Sequence, residues 1–269
     1  MQIQSLTDIG RKRQVNQDYI YVSAEPVGAF PNLCILADGM GGHKGGDFAS
    51  RYLTETIVGF ISRTRTNDLV KVLRNAIKMS NRLIYEKSHS EPELQGMGST
   101  LVAAVIEDGI LTVANVGDSR LYLIRDGITQ VTRDHSFVEE QVRLGKMERD
   151  SEEYLKNKKF ITRAVGIDEN VEADYFEVEL EQNDQILICS DGLTNMVDDD
   201  TILEIVSGHG SLLYKVRTLI DTANENGGYD NIAVILIKAD SKEDFKTGRT
   251  AGLKSDSRED SVKGGSYDA

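Results

Sequence analysis

Two apolar runs in the sequence end in the same dipeptide, Asp-Gly. The first run ends in Asp38-Gly39 and the second in Asp191-Gly192. A third acidic residue, Asp230, follows Gly-Gly-Tyr and precedes another apolar run at 232–237. An ionised carboxylate at the edge of a core is costly unless it is paired or bound to a cation. The pattern therefore predicts buried strands that bring several carboxylates to one metal site.

The same dipeptide occurs twice more, in a different context. Asp108-Gly109 and Asp126-Gly127 each lie between two β-type runs. Asp-Gly between such runs is typical of a type I′ hairpin turn, in which both central residues have positive φ. Asp38-Gly39 is followed instead by a glycine-rich stretch, and Asp191-Gly192 by a helix-like one. We therefore predict two hairpin turns and two metal-ligand positions.

The candidate ligands are carboxylates and backbone oxygens. The four histidines show none of the paired spacings of a zinc site. Hard oxygen ligands select Mg²⁺ or Mn²⁺. Two such ions about 3.5–4 Å apart can hold a hydroxide and neutralise a phosphoryl group under attack.

Bulk properties exclude several classes of partner. The chain has 269 residues and a formal net charge of −13, so it would repel nucleic acid and anionic membrane surfaces. No run approaches the roughly 18 apolar residues of a membrane span, and the N-terminus lacks the pattern of a signal peptide. Cys34 and Cys189 lie within predicted buried strands and are expected to be inert packing residues. These features predict a cytoplasmic protein.

The periodicity predicts an α+β fold with antiparallel sheets. Strands are predicted at 2–7, 18–22, 32–37, 100–106, 110–115, 120–125, 128–131, 174–178, 185–189 and 232–237, and helices at about 47–61, 68–88, 201–207 and 212–225. Residues 1–240 are predicted to form one domain. Within it, the charged stretch at about 134–159 is interpreted as a helical flap beside the site. Residues 241–269 are predicted to be a disordered polar tail.

Several short motifs occur in a fixed order along residues 1–240. They are Gly10-Arg11-Lys12-Arg13 with Asn16-Gln17-Asp18, Asp38-Gly39-Met40-Gly41-Gly42-His43, Gly98-Ser99-Thr100, Asn115-Val116-Gly117-Asp118-Ser119-Arg120, Asp134-His135-Ser136, Ser190-Asp191-Gly192 and Asp230-Asn231. In this order the chain resembles the bacterial form of the type 2C metal-dependent protein serine/threonine phosphatases. The resemblance implies a four-layer αββα sandwich, with two central antiparallel sheets flanked by helices.

The resemblance also implies metal-binding roles. Asp38 would bridge two Mn²⁺ or Mg²⁺ ions, and the carbonyl of Gly39 would bind one of them. Asp191 and Asp230 would hold the first metal, and Asp18 would support the second through water. Asp118 would lie near a third, weaker metal that shares Asp191. The alternative for Asp118 is a turn residue after Gly117.

Arg13 would clamp the substrate phosphate, since its fork suits bidentate contact. The alternative is an exposed member of the basic cluster at 11–13. Two positions depart from the family pattern. Gln17 stands where many members carry Glu, which puts the affinity for the second metal in question. Met40 stands where eukaryotic members place a histidine proposed as general acid, so His43 is the candidate donor here, or a solvent-exposed loop residue. His135 is interpreted as a structural partner at the flap base.

The implied activity is hydrolysis of phosphoserine and phosphothreonine on proteins by a metal-bridging hydroxide, opposing a serine/threonine kinase. The implied partners are the phosphorylated substrates of that kinase, and we expect a monomer. One alternative is a phosphatase dedicated to a single phosphorylated regulator, such as an anti-sigma antagonist. Another is a catalytically dead scaffold, which the complete set of five aspartates argues against.

Overall fold

The computed structural model describes residues 1–42, 44–66, 68–149 and 151–239, which form two antiparallel sheets. The five-stranded sheet has the order β1-β11-β10-β7-β8. Its strands are β1 (Gln2–Asp8), β7 (Arg120–Ile124), β8 (Ile128–Gln130), β10 (Gln185–Cys189) and β11 (Ile232–Lys238). The six-stranded sheet has the order β2-β3-β5-β6-β9, with β4 paired to β3. Its strands are β2 (Asp18–Ser23), β3 (Leu33–Met40), β4 (Gly98–Ser99), β5 (Leu101–Glu107), β6 (Ile110–Val116) and β9 (Asp174–Glu179).

Helices cover the outer face of each sheet. Those on the six-stranded sheet are α1 (Gly45–Arg63) and α2 (Leu69–Ser90), and a short 3₁₀ helix (Pro92–Leu94) follows α2. Those on the five-stranded sheet are α5 (Asp191–Thr194), α6 (Asp199–Ser207) and α7 (Leu212–Glu225). Two more helices, α3 (Phe137–Arg143) and α4 (Glu152–Asn157), lie between β8 and β9.

Three apolar clusters hold the layers together, and the alternation of β3 shows why. Leu33 and Ile35 point to the helices α1 and α2. Cys34 and Leu36 point the other way, into the cluster between the two sheets. Since successive strand residues face opposite sides, a strand buried on both faces is apolar throughout. The predicted α+β sandwich of four layers is confirmed.

The end of β3 differs from the prediction. Strand β3 does not end at 37 but continues through Asp38 to Met40, because Gly39 and Met40 pair with Ser99 and Gly98 of β4. The first Asp-Gly dipeptide therefore lies within β3, and the glycine-rich stretch follows the end of this strand.

The two hairpin predictions have different outcomes. Asp108 and Gly109 have φ of 51° and 81° and connect β5 to β6, as a type I′ turn requires. Asp126 and Gly127 also lie in a hairpin, between β7 and β8, but neither has positive φ, so the predicted turn type was wrong there. The connection has three residues, 125–127, because Ile124 pairs directly with Ile128.

The remaining predictions have mixed outcomes. The flap region is helical, with two short helices that are each begun by a serine N-cap (Ser136 and Ser151). Cys34 and Cys189 are free and buried, and burial raises the pKa of both thiols. Within the described ranges no helix has the length and apolar character needed to cross a membrane. The predicted tail at 241–269 lies outside the described residues.

Candidate active site

The first two carboxylates come from neighbouring strands. Asp18 is the first residue of β2 and lies directly opposite Asp38 of β3 in the antiparallel ladder. The backbone of Asp38 is fixed from both sides by Thr100. The Asp38 N–H donates to Thr100 Oγ1 (3.0 Å), and the Asp38 carbonyl accepts from the Thr100 N–H (2.8 Å). The pairing of β2, β3 and the start of β5 therefore sets where Asp38 points.

Asp38 lies at the electrostatic centre of the candidate ligands. Burial raises the pKa of its carboxyl well above the ordinary value, and the negative charges of Asp18, Asp191, Asp118 and Asp230 raise it further. Asp38 is thus close enough to interact with all four of the other predicted metal-ligating aspartates. Such crowding of like charges is unfavourable without a counter-charge.

Asp18 is buried, with 6% of its surface exposed. Its Oδ2 accepts a hydrogen bond from Ser190 Oγ at 2.7 Å. Its Oδ1 is buried and has no hydrogen-bond partner among the described residues. Burial, followed by the charges of Asp191 and Asp230, raises the pKa of Asp18 to about 8.

Asp118 comes from the connection between the two sheets, and Asp191 from the end of a strand in the five-stranded sheet. Asp118 lies in the loop from β6 to β7, and burial together with the charges of Asp191 and Asp134 raises its pKa to about 8. Asp191 begins α5 directly after β10, and burial with the charge of Asp230 raises its pKa to about 6. The amide of Asn195 donates to Asp191 Oδ2 at 2.9 Å, and this hydrogen bond lowers the pKa of Asp191.

Arg13 reaches the site from the loop between β1 and β2. Its Nη2 donates to Asp230 Oδ2 at 2.7 Å, and the side chains of Arg13 and Asp230 are 48% and 33% exposed. The other oxygen of Asp230 accepts the backbone N–H of Asn231 at 2.8 Å. Arg13 is therefore at the solvent-facing rim of the cluster, with a guanidinium that an incoming anion can reach.

The two glycines of the Asp-Gly dipeptides permit close backbone packing. A Cβ on Gly39 would overlap the carbonyl oxygen of Gly46 at the start of α1, and a Cβ on Gly192 would overlap the carbonyl oxygen of Asn231. Neither glycine has positive φ, so close approach is the reason for a residue without a side chain. The Gly39 N–H donates to the Gln17 carbonyl at 3.0 Å, which ties this strand to the loop before β2.

Three residues that position the ligands were not assigned a role from the sequence. Asn231 is buried; its amide donates to the carbonyls of Ile9 and Val15 (both 3.0 Å), and its Oδ1 accepts the Gln17 N–H at 2.9 Å. The Ser190 hydroxyl donates a hydrogen bond to Asp18, and the Asn195 amide donates one to Asp191. Ser190 and Asn231 each adjoin a predicted ligand in the sequence. Their position next to a predicted ligand was the feature of the sequence that could have indicated these roles.

The flap base is attached to the loop that carries Asp118. The Gly117 N–H donates to His135 Nδ1 at 3.0 Å, so the proton of this imidazole is on Nε2. Nε2 faces Asp174 at 3.4 Å, and Arg163 also contacts it at 3.1 Å. Burial and the Arg163 charge lower the pKa of His135. His135 is thus a structural partner at the flap base.

Two of the sequence predictions concern the glycine-rich loop. His43 lies outside the described residues, so its proposed role as proton donor stays a prediction. The Gln17 amide donates to the Gly41 carbonyl at 3.4 Å and packs against Gly46. Gln17 therefore supports the start of α1, and its effect on a second metal also stays a prediction.

The chemistry of this donor set fits hard divalent cations. The unpartnered Oδ1 of Asp18 and the mutual repulsion around Asp38 are both relieved by positive charge. In the part of the chain that the structure describes, however, no three acidic, histidine or cysteine side chains already stand as a closed metal cage. Asp230 is held by Arg13 instead. The five aspartates therefore interact through their charges, but among the described residues no three of them lie at metal-ligand spacing.

Comparison with known proteins agrees with this geometry. The family model described as Protein phosphatase 2C matches residues 9–236. The chain belongs to the protein phosphatase 2C family, and its activity is that of a metal-dependent protein phosphatase.

Relatives of similar length occur in several bacteria. The chain is 38% identical over 244 residues to the serine/threonine phosphatase stp of Listeria monocytogenes, a match covering 87% of this chain and 94% of that protein. It is 36% identical over 241 residues to the protein phosphatase PhpP of Streptococcus pneumoniae, covering 88% and 97%.

Solved structures share the fold. The serine/threonine phosphatase of S. agalactiae superposes with a TM-score of 0.82 at 35% identity, covering 87% of this chain and 98% of that one. The catalytic domain of PstP, a serine/threonine protein phosphatase solved with two manganese ions, superposes with a TM-score of 0.76 at 33% identity, covering 87% and 96%.

Proposed function

We propose that this chain removes phosphate from phosphoserine and phosphothreonine residues of proteins, opposing a cognate serine/threonine kinase in the cytoplasm and acting as a monomer. Residues 1–240 would form the catalytic domain, with residues 134–159 as its flap. The observation that carries the proposal is the position of Asp38, which interacts with all four other aspartates, one of which (Asp230) is paired with the half-exposed Arg13.

The five aspartates and one glycine would hold the ions. Asp38 and the Gly39 carbonyl would lie between two Mn²⁺ or Mg²⁺ ions, with Asp191 and Asp230 on one side and Asp18 on the other. Asp118 shares electrostatic contact with Asp191 and would serve a third, weaker ion. When bound, the ions lower the pKa of water and neutralise phosphoryl charge.

The protein's own residues would orient the substrate. Arg13 would leave Asp230 and turn its fork to two oxygens of the phosphate, since the pair is solvent-exposed and inexpensive to separate. Asp230 would then be available to a cation. The leaving serine or threonine oxygen needs a proton, which His43 or water would supply.

The experiment is turnover of a phosphothreonine peptide by the full chain. We expect activity that is lost in chelator, returns with Mn²⁺, and falls by about 100-fold or more in Asp38→Asn. Asp126→Asn is the matched control, because it changes the same residue type in an exposed hairpin. Full turnover in metal-free buffer, or equal losses in the two variants, would contradict the proposal.

A further inference from the structure

A polar groove lies on the flap side of the candidate active site. It is lined by α3, by the loop between β8 and α3, and by Arg163 and Asp174, and its volume is about 760 Å³. His135, one of the lining residues, accepts the N–H of Gly117, the residue before Asp118. The groove therefore begins next to the loop that carries one of the candidate metal ligands.

Most charges that line the groove are neutralised by a neighbour. Asp134 pairs with Arg120 (2.8 Å), and Asp174 pairs with Arg163 (3.0 Å). In the same way, Glu139 pairs with Arg149. These pairs leave little net charge available to a ligand.

Two arginines are the exception. Arg133 and Arg143 line the groove and are exposed, and neither has an ion-pair or side-chain hydrogen-bond partner among the described residues. The unpaired acid in the described lining is Glu140. The unpaired groups of the described lining thus carry one surplus positive charge on a chain whose formal net charge is −13, which favours an anionic occupant.

The spacing of the two arginines favours a peptide over a small anion. Arg133 precedes the N-cap of α3 and Arg143 is its last residue. The two arginines therefore flank this seven-residue helix, which is about 10 Å long, and a peptide laid along the helix would need about three extended residues to pass it. Guanidinium forks bind carboxylates in a bidentate manner.

We propose that this groove holds the substrate segment beside the phosphorylated residue, and that Arg133 and Arg143 select acidic side chains in it. The proposal rests on the phosphatase function above. It makes these two arginines specificity-determining residues that do not touch the reacting phosphate.

The test uses the full chain with Mn²⁺ and three phosphothreonine peptides that differ in the flanking residues, which are Glu, Gln or Lys. We expect the native protein to prefer the Glu peptide, chiefly through a lower KM, and added salt to weaken this preference. Exposed ion pairs are weak, so each Arg→Gln change should cost about two- to fivefold in kcat/KM on the Glu peptide. R133E/R143E should reverse the preference towards the Lys peptide.

Two controls isolate the groove. Hydrolysis of 4-nitrophenyl phosphate, which has no flanking peptide, should stay within about twofold of the native rate in every groove variant. R217E makes one such charge reversal on an exposed residue of α7 and should leave the peptide preference intact. If R133E/R143E does not fold, the Gln variants provide the same comparison.

Three results would overturn the proposal: an unchanged Glu-to-Lys ratio in the groove variants, an equal effect of R217E, or parallel loss on 4-nitrophenyl phosphate. Failure of the phosphatase function itself is a separate result, namely no turnover of 4-nitrophenyl phosphate by the native protein with Mn²⁺.

Discussion

Asp18 and Asp38 lie directly opposite each other across strands β2 and β3. Directly opposite residues in an antiparallel pair have Cβ atoms about 4.5–5.5 Å apart and share one face, so two carboxylates there repel each other. Folding thus brings together charges that separate in the unfolded chain. Cations that bind between the two carboxylates would remove this repulsion, so it would strengthen their binding.

The first prediction concerns the pH dependence of the metal-free protein. Folding raises the pKa of Asp18 from 3.8 to about 8, so the folded state binds more protons than the unfolded state between these values. The free energy of unfolding should therefore fall as the pH rises from about 4 to about 8. Denaturant titrations in chelator measure this. Mn²⁺ should restore stability most at the alkaline end; a profile that rises with pH in chelator would contradict the assignment.

The second prediction concerns Ser190, whose hydroxyl donates to Asp18 and accepts the Ala233 N–H at 2.9 Å. Ser190→Ala should cost about 1–3 kcal/mol of stability, because both groups are buried. It should also weaken Mn²⁺ binding by about 10–100-fold, which calorimetric titration measures. Ser211→Ala removes a hydroxyl that caps α7; it should cost about 1 kcal/mol and leave Mn²⁺ affinity unchanged. Equal Mn²⁺ affinities in the two variants would refute the role of Ser190.

The third prediction separates substrate binding from metal binding at Arg13. Arg13→Ala should lower kcat/KM on phosphopeptides by about 100-fold, because a charged bidentate donor is lost. Arg13→Lys should recover only part of this loss. Mn²⁺ affinity should not fall in either variant, since Arg13 competes for Asp230. Lys12→Ala, a neighbouring cation packed over the Tyr229 ring, is the control. A loss of Mn²⁺ affinity in Arg13→Ala would show instead that Arg13 maintains the structure of the metal site.

The fourth prediction compares two glycines. Gly39→Ala should destabilise the protein by about 1–3 kcal/mol, because its Cβ would meet the backbone of Gly46. Gly59→Ala, in the interior of α1 with open space around the new Cβ, should stabilise by about 0.5–1 kcal/mol. Thermal and denaturant unfolding measure both. If both substitutions stabilise the protein, a side chain at Gly39 does not clash with the backbone of Gly46.

Strand positions were well predicted because most strands are bounded by turn residues and buried on both faces. Strand β10 and helix α7 have the predicted bounds. The extension of β3 past Asp38 was not predicted, since it depends on a two-residue partner, β4, that is distant in sequence. A short strand of Gly98-Ser99 carries no periodicity of its own.

The candidate site was predicted from motif order, and its ion pair was not. Nothing local indicates that Arg13 contacts Asp230, because 217 positions separate them in the chain. The same holds for Asn231, whose role becomes visible only when the loop at 9–17 lies against it. The charge balance of the flap groove likewise depends on which arginines find partners after folding.

The contacts of Asn231 bear on how the chain folds while it is being translated. It joins the loop that carries Arg13 to the start of β11, and β11 is the strand that lies between β1 and β10. Contacts of such long sequence separation form late, after the intervening chain is made. During translation Arg13 and Asp230 therefore remain apart until β11 has been made. We expect a chain truncated before β11 to lack phosphatase activity, because it has neither the contacts of Asn231 nor the strand between β1 and β10.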